Sequence, residues 1–202
     1  MKRVGGKLPL MTSVEIEELD GLLTKTEANL KLIQEVGGDF VYPMLNEWRY
    51  ATRHIVNLLV KPNEADFQKT IGHLKRAYFD SCDILLNCLL QNIADHYDAF
   101  RGYASIVNQI VPDFQQHNLR MHEAIRVRER IASAKGDARE SEYDALAPYI
   151  VSLMEFARLL SSTRVNWIED IRKQKLRDRL PVLISIVGIA ISVAIAILGM
   201  CI

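Results

Sequence analysis

The chain lacks an excess of charge of either sign. Its 202 residues carry 25 Lys and Arg against 25 Asp and Glu, so the formal net charge is zero. This balance argues against a protein that binds nucleic acid through a strong overall positive field. The three cysteines, Cys82, Cys88 and Cys201, are an odd number without metal or disulfide spacing. They argue against a disulfide-stapled secreted domain and fit a reducing compartment.

The chain also lacks the short motifs that mark common enzyme classes. It contains no Gly-rich phosphate loop, no Cys/His ligand cluster and no His-Glu-x-x-His pattern. We therefore expect no cofactor and no bound metal. The sequence favours a protein that is not an enzyme.

A long apolar run is the strongest positive feature. Residues 181–202 contain no charged side chain, and as a helix they would span about 33 Å, close to a bilayer core of about 30 Å. Five basic residues precede the run: Arg172, Lys173, Lys175, Arg177 and Arg179. The positive-inside rule then predicts a single-pass, tail-anchored membrane protein with a cytoplasmic N-terminus, in the inner membrane if the host is bacterial, and a basic collar at the membrane surface.

The remainder of the chain predicts helices. Thr12 to Glu15 read as a capping box, and apolar residues at 3-4 spacing follow. Gly37-Gly38, a turn at 61–63 and a loop at 136–141 separate the predicted helices, of which the third runs from about 64 to about 109. The predicted fold is all-α: a cytoplasmic bundle of about five long antiparallel helices over 1–180, and one C-terminal transmembrane helix over 181–202.

Polar side chains recur at helical spacing on the second and third predicted helices. The set that we take as a candidate binding surface is Arg49, Arg53, His54, His73, Arg76 and Asp80. Because a tight turn joins these helices, the two stripes can meet as a charged seam. The alternative is two solvated faces, with Arg76 and Asp80 as an ordinary pair four residues apart.

One stretch of the second helix carries a family motif. Arg49-Tyr-Ala-Thr-Arg-His54 resembles the Arg-x4–6-His motif of HEPN domains, which are helical bundles. The resemblance implies a metal-independent ribonuclease whose paired motifs form the site in a dimer. Arg49 and His54 would then act on the phosphate and the 2′-hydroxyl.

The apolar run has a pattern of its own. Gly188, Ser192 and Ala196 are four residues apart and share one helix face. Small residues let helices approach closely in a bilayer and favour self-association. We therefore expect a homo-oligomer.

The overall arrangement suggests three kinds of function. A helical domain joined to a membrane segment is similar in architecture to small bacterial membrane-anchored defence effectors. This resemblance implies a self-associating membrane effector whose cytoplasmic bundle senses or binds a protein partner. The alternatives are a membrane-tethered HEPN-like ribonuclease and a passive membrane scaffold or adaptor. Nucleic acid is a partner only in the ribonuclease alternative.

Overall fold

Local sequence signals set where the helices begin and end. The computed structural model describes residues 12–38, 42–61, 63–99, 101 and 104–199, without the side chains of residues 104, 105, 137, 164–168 and 192–199. The helices are α1 (Ser13–Glu35), α2 (Tyr42–Val60), α3 (Glu64–Ala99), α4 (Ala104–Ile110), α5 (Phe114–Ser133) and α6 (Asp137–Gly199). The described part of the chain is all-helical, as predicted. The predicted third helix is divided between α3 and α4.

The capping box at the start of α1 is confirmed. The Thr12 backbone N–H donates to the Glu15 carboxylate at 2.6 Å, and the Glu15 backbone N–H donates to Thr12 Oγ1 at 3.3 Å. These two bonds satisfy backbone donors that have no partner inside the helix. The same carboxylate accepts from the Thr12 hydroxyl, and these hydrogen bonds lower the pKa of Glu15.

Helix α3 is the centre of the bundle. Helix α3 packs against α1, α2 and α6. Helix α5 packs against α6, and α4 lies beside α5 and α6. The larger apolar core gathers side chains mainly from α3, α5 and the first part of α6, and it also includes Ile33 of α1, Met44 of α2 and Val107 of α4. A smaller core joins α1, α2 and the beginning of α3. Trp48 of α2 packs against both cores, so the junction of α2 with α3 adjoins the larger core.

Helix α6 continues far beyond the bundle. Ile171 is partly buried against the larger core, but every residue from Arg172 to Ile191 is exposed. The helix has no break at residue 180, where the sequence places a domain boundary. The last helix of the predicted bundle and the predicted span are thus parts of one continuous helix, α6.

The predicted transmembrane helix is corrected by the structure. Among the residues whose side chains are described, no helix combines the length and the apolar character that crossing a membrane requires. The predictions of a transmembrane helix over 181–202, a tail anchor and a single-pass protein with a cytoplasmic N-terminus are overturned by this finding. Residues 200–202 and the side chains of 192–199 lie outside what the structure describes.

The turn after α1 leads to a prediction about Gly38. A Cβ atom there would lie 2.6 Å from Ile33 Cγ2 and 2.9 Å from Cys88 Sγ, closer than packed atoms tolerate. We expect Gly38→Ala to lower the free energy of unfolding by about 1–3 kcal/mol, measured by denaturant titration. The matched control is Gly21→Ala in α1, where a Cβ meets nothing within 4 Å and should stabilise the helix by up to about 1 kcal/mol. Equal effects of the two changes would contradict this packing.

Candidate functional site

The turn between α2 and α3 fixes the first element of a polar cluster. Asn63 Oδ1 accepts the backbone N–H of Asp66 at 2.8 Å, and Asn63 Nδ2 donates to Asp66 Oδ2 at 2.7 Å. Asn63 therefore caps α3 and also holds the Asp66 carboxylate. The other oxygen, Asp66 Oδ1, lies 2.8 Å from Nδ1 of His54 on α2.

A second histidine–carboxylate pair runs in the opposite direction between the same helices. His73 on α3 places its Nδ1 2.7 Å from Glu47 Oε2 on α2. Each helix thus supplies one histidine and one carboxylate. The four side chains retain only 18% to 21% of their exposure. We call His54, Asp66, His73 and Glu47, together with Arg76, the crossed-pair cluster.

The hydrogen bonds assign the proton positions on both imidazoles. An ionised carboxylate only accepts hydrogen bonds, so Nδ1 of His54 and Nδ1 of His73 must each carry a proton. Arg76 Nε also donates to Glu47 Oε2, at 2.8 Å, and Arg76 Nη2 lies 2.7 Å from Nδ1 of His73. With the proton assigned to Nδ1, both of those nitrogens are donors, and Glu47 is the acceptor that they share. In the neutral form of each ring, Nε2 carries the lone pair.

Aromatic rings connect this cluster to Arg49. The imidazoles of His54 and His73 stack with centroids 5.4 Å apart and planes 13° apart, and Tyr50 lies 5.4 Å from His73 on centroids. Arg49 places its guanidinium carbon 5.1 Å from the Tyr50 ring centroid and donates to the Tyr50 hydroxyl at 3.4 Å. Helical spacing separates Arg49 from His54 by about 140°. The Tyr50 and His73 rings fill the space between them.

Charge and burial act differently on the carboxylates around the cluster. Burial raises the pKa of Glu47, but hydrogen bonds and charge from Arg76 and His73 outweigh burial, so the pKa lies below its ordinary value of 4.5. Hydrogen bonds from Asn63 and His54 lower the pKa of Asp66. Burial and the neighbouring charges of Glu47 and Asp83 instead raise the pKa of Asp80.

The charged seam predicted from sequence forms in part. The structure brings His54, His73 and Arg76 together and places Arg49 at the edge of the cluster. Arg53 is exposed and Asp80 is half-buried; among the described residues neither shares a hydrogen bond with the cluster.

Sequence reasoning missed the two carboxylates. Glu47, Tyr50 and His54 follow 3-4 spacing on α2, and Asp66, His73 and Arg76 lie on one face of α3. That periodicity could have indicated the pairs.

The other predicted residues lie on the exposed part of α6. Arg172, Lys175, Arg177 and Arg179 are exposed, and Lys173 lies 3.5 Å from Asp170. Gly188 is exposed, whereas the side chains of Ser192 and Ala196 lie outside the described part of the chain. Neither the basic residues nor Gly188 contributes to the crossed-pair cluster.

Clefts and metal-ligating groups do not offer a stronger site. A cleft of about 450 Å³ lies between the end of α1 and α6, beside Asn92, far along α3 from the cluster. Its charged groups already pair, because Arg158 donates to both oxygens of Glu35 at 2.8 and 2.9 Å. In the described part of the chain, no group of three or more His, Cys, Asp or Glu residues could hold a metal ion.

Comparison with known proteins adds no relative. No protein-family model, curated protein sequence or solved structure matches this chain. The geometry of its own residues therefore carries the functional argument.

The two carboxylates Glu47 and Asp80 should respond oppositely to neutralisation. Glu47→Gln removes the charge that holds both Arg76 and His73, and we expect the free energy of unfolding at pH 7 to fall by about 1.5–3 kcal/mol. Because the folded pKa of Glu47 is depressed, its stabilising contribution is present above pH 4.5 and is lost as pH falls through the folded pKa.

Asp80→Asn is the matched comparison. The folded pKa of Asp80 is raised, so its charged form disfavours folding at neutral pH. We expect stability to remain the same or to rise. Denaturant titrations of both variants at pH 7 and pH 4 separate the effects, and a large loss in Asp80→Asn would contradict this assignment.

Proposed function

We propose that this chain is a self-associating helical interaction protein. The observation that carries the proposal is the apolar surface on the part of α6 beyond the bundle. Nine large apolar side chains there are 54% to 65% exposed: Leu176, Leu180, Val182, Leu183, Ile184, Ile186, Val187, Ile189 and Ile191. A contiguous surface of this kind typically marks an interaction site.

The energy of covering this surface is large. Burying one such side chain contributes about 1.5–3 kcal/mol. Seven of the nine lie in the uncharged stretch 181–191, which we call the apolar segment, and the other two, Leu176 and Leu180, precede it. A second copy of the same segment is the simplest partner that buries this surface, because residues 181–191 carry no charge. Two identical segments can then meet without burying an unpaired charge. Gly188 gives neighbouring helices room to approach.

The distribution of the apolar residues favours more than two copies. Val182, Leu183 and Ile184 are consecutive and all more than half exposed, so they point in directions about 100° apart. One partner helix covers a single stripe of a helix surface. Covering all sides therefore requires several helices, which places the bundles of several copies around one helical core.

A charge in the apolar segment should disrupt the assembly. We expect the full chain to sediment as an oligomer in aqueous buffer and Ile184→Asp to shift it strongly towards monomer, because the new carboxylate would be buried in the shared core. Val151→Asp is the matched control: Val151 is 67% exposed on the bundle part of α6, against 64% for Ile184. Salt should favour the oligomer by screening repulsion between the basic collars. A wild type that sediments as a monomer would overturn the proposal.

Cleavage of RNA is a second candidate, favoured by one observation. Arg49 and His54, the two residues of the HEPN-like motif, both lie on one row of rings, with Tyr50 and His73 between them. A cation that can meet a phosphate and an imidazole that can move a proton thus lie in one cluster. This arrangement supports the ribonuclease candidate, in which Arg49 and His54 act on the RNA.

The two candidates differ in a direct assay. The ribonuclease candidate expects the wild type to cleave single-stranded RNA in the presence of a chelator, with Arg49→Ala and His54→Ala inactive although helical circular dichroism is kept. The interaction proposal expects no cleavage by any form. His122→Ala, on the exposed side of α5, is the control and should behave as wild type. Cleavage that persists in both variants would exclude this site.

A further inference from the structure

The stacked imidazoles of His54 and His73 include one histidine that the Arg-x4–6-His motif does not contain. In the ribonuclease candidate, His54 is one proton-transfer group, whereas cleavage of a phosphodiester beside a 2′-hydroxyl uses two. One group removes the 2′-hydroxyl proton, and another gives a proton to the leaving 5′-oxygen. The structure supplies a second imidazole of the same design, because His73 is bonded at Nδ1 to Glu47 as His54 is to Asp66.

We propose that His54 and His73 form a general acid–base pair for RNA cleavage, with Asp66 and Glu47 as positioning residues. This inference rests on the ribonuclease candidate and extends it to a second catalytic residue, which the Arg-x4–6-His motif does not contain. The substrate class is single-stranded RNA with a free 2′-hydroxyl next to the cleaved phosphate.

The carboxylates determine which atom of each ring does the chemistry. Because Nδ1 of both rings donates to a carboxylate, each Nε2 is the atom left to accept or give a proton. A carboxylate at Nδ1 also fixes the orientation of the ring. Both Nε2 atoms belong to rings whose centroids are 5.4 Å apart, a separation over which two groups can serve one phosphate.

The reaction balances without any further reactant. The neutral imidazole takes the 2′-hydroxyl proton as the 2′-oxygen forms a bond to phosphorus. The bond from phosphorus to the 5′-oxygen breaks, and that oxygen takes the proton of the protonated imidazole. The products are a 2′,3′-cyclic phosphate and a 5′-hydroxyl. No atom is oxidised or reduced, and the two imidazoles end with their protonation states exchanged.

Arginine side chains complete the environment of the phosphate. Arg49 is exposed and stacks over Tyr50 beside His73, so its guanidinium can meet a phosphate oxygen. Arg76 donates to Glu47 at 2.8 Å, and its Nη2 lies 2.7 Å from Nδ1 of His73. The groups that face the imidazole pair are thus Asp66, Glu47, Tyr50, Arg76 and, at the edge, Arg49.

Cleavage rates of single variants test the pair. With a chelator present and single-stranded RNA as substrate, we expect His54→Ala and His73→Ala each to lose about 10²- to 10⁴-fold in rate. His73→Gln, which keeps a polar side chain of similar length beside Glu47, should lose as much while its circular dichroism and unfolding midpoint stay near those of wild type. His122→Ala should retain the full rate, and a substrate with 2′-deoxyribose at the cleaved position should not be cut.

A sulfur leaving group identifies the acid and separates catalysis from folding. An RNA whose 5′-bridging oxygen is replaced by sulfur needs no protonated leaving group, so it should restore the rate of one variant, the one that lacks the acid, and leave the other slow. Wild type should show a bell-shaped pH–rate profile, and each alanine variant should lose one limb of it. Glu47→Gln and Asp66→Asn should distort the profile, which a purely structural role would not do.

Each outcome has one meaning. Cleavage that requires His54 but proceeds equally well in His73→Ala overturns the pair and leaves the ribonuclease candidate standing. Rescue of both variants or of neither by the sulfur substrate also overturns the pair. No cleavage by the wild type overturns the ribonuclease candidate and this inference together.

Discussion

The burial of α3 is the constraint on which the rest of the bundle depends. This helix has neighbours in α1, α2 and α6, so its polar side chains must find partners inside the protein. Thr70 Oγ1 donates to the carbonyl of Asp66 at 2.8 Å, Ser81 Oγ donates to that of Tyr78 at 2.6 Å, and Asn29 of α1 donates to Ser81 at 2.9 Å. The crossed-pair cluster likewise gives hydrogen-bond partners to the polar side chains of α3 that face α2.

The crossed pairs also fix the position of α2 against α3. Helix α2 packs against α3 and contributes Ala51 and Leu58 to the smaller core and Met44 to the larger one. Apolar packing tolerates some sliding of one helix along another, whereas two hydrogen-bonded pairs in opposite directions specify one register. Glu47 holds both His73 and Arg76, so the loss of one carboxylate removes two of the links. Asp80 accepts no comparable set of hydrogen bonds in the described part of the chain, and burial together with the charges of Glu47 and Asp83 raises its pKa.

Much of this architecture could be predicted from sequence because it is local. The capping box at Thr12, the end of α2 near residue 60 and the all-helical class follow from short-range spacing, and the described part of the chain has all three. The partners of His54 and His73 were out of reach, since a carboxylate on another helix is identified only once the register between helices is known. The transmembrane prediction failed for a different reason. Hydropathy evaluates a run of residues by its own composition, whereas the structure makes residues 181–191 part of one helix, α6, whose first part packs in the bundle and whose residues 172–179 include basic side chains.

The two candidate surfaces, the apolar segment of α6 and the crossed-pair cluster of α2 and α3, lie on different helices. Helix α6 packs against α3 and α5, and α2 packs against α3 on another side. The α3–α6 contact includes the larger core and two polar links: Tyr143 of α6 donates to Asp83 at 2.9 Å, and Lys75 of α3 donates to Glu140 at 2.9 Å. The exposed part of α6 begins at Arg172, roughly 40 Å along the helix from Tyr143. A change that disrupts assembly can therefore leave the crossed-pair cluster intact, and the activities of the two surfaces can be measured independently.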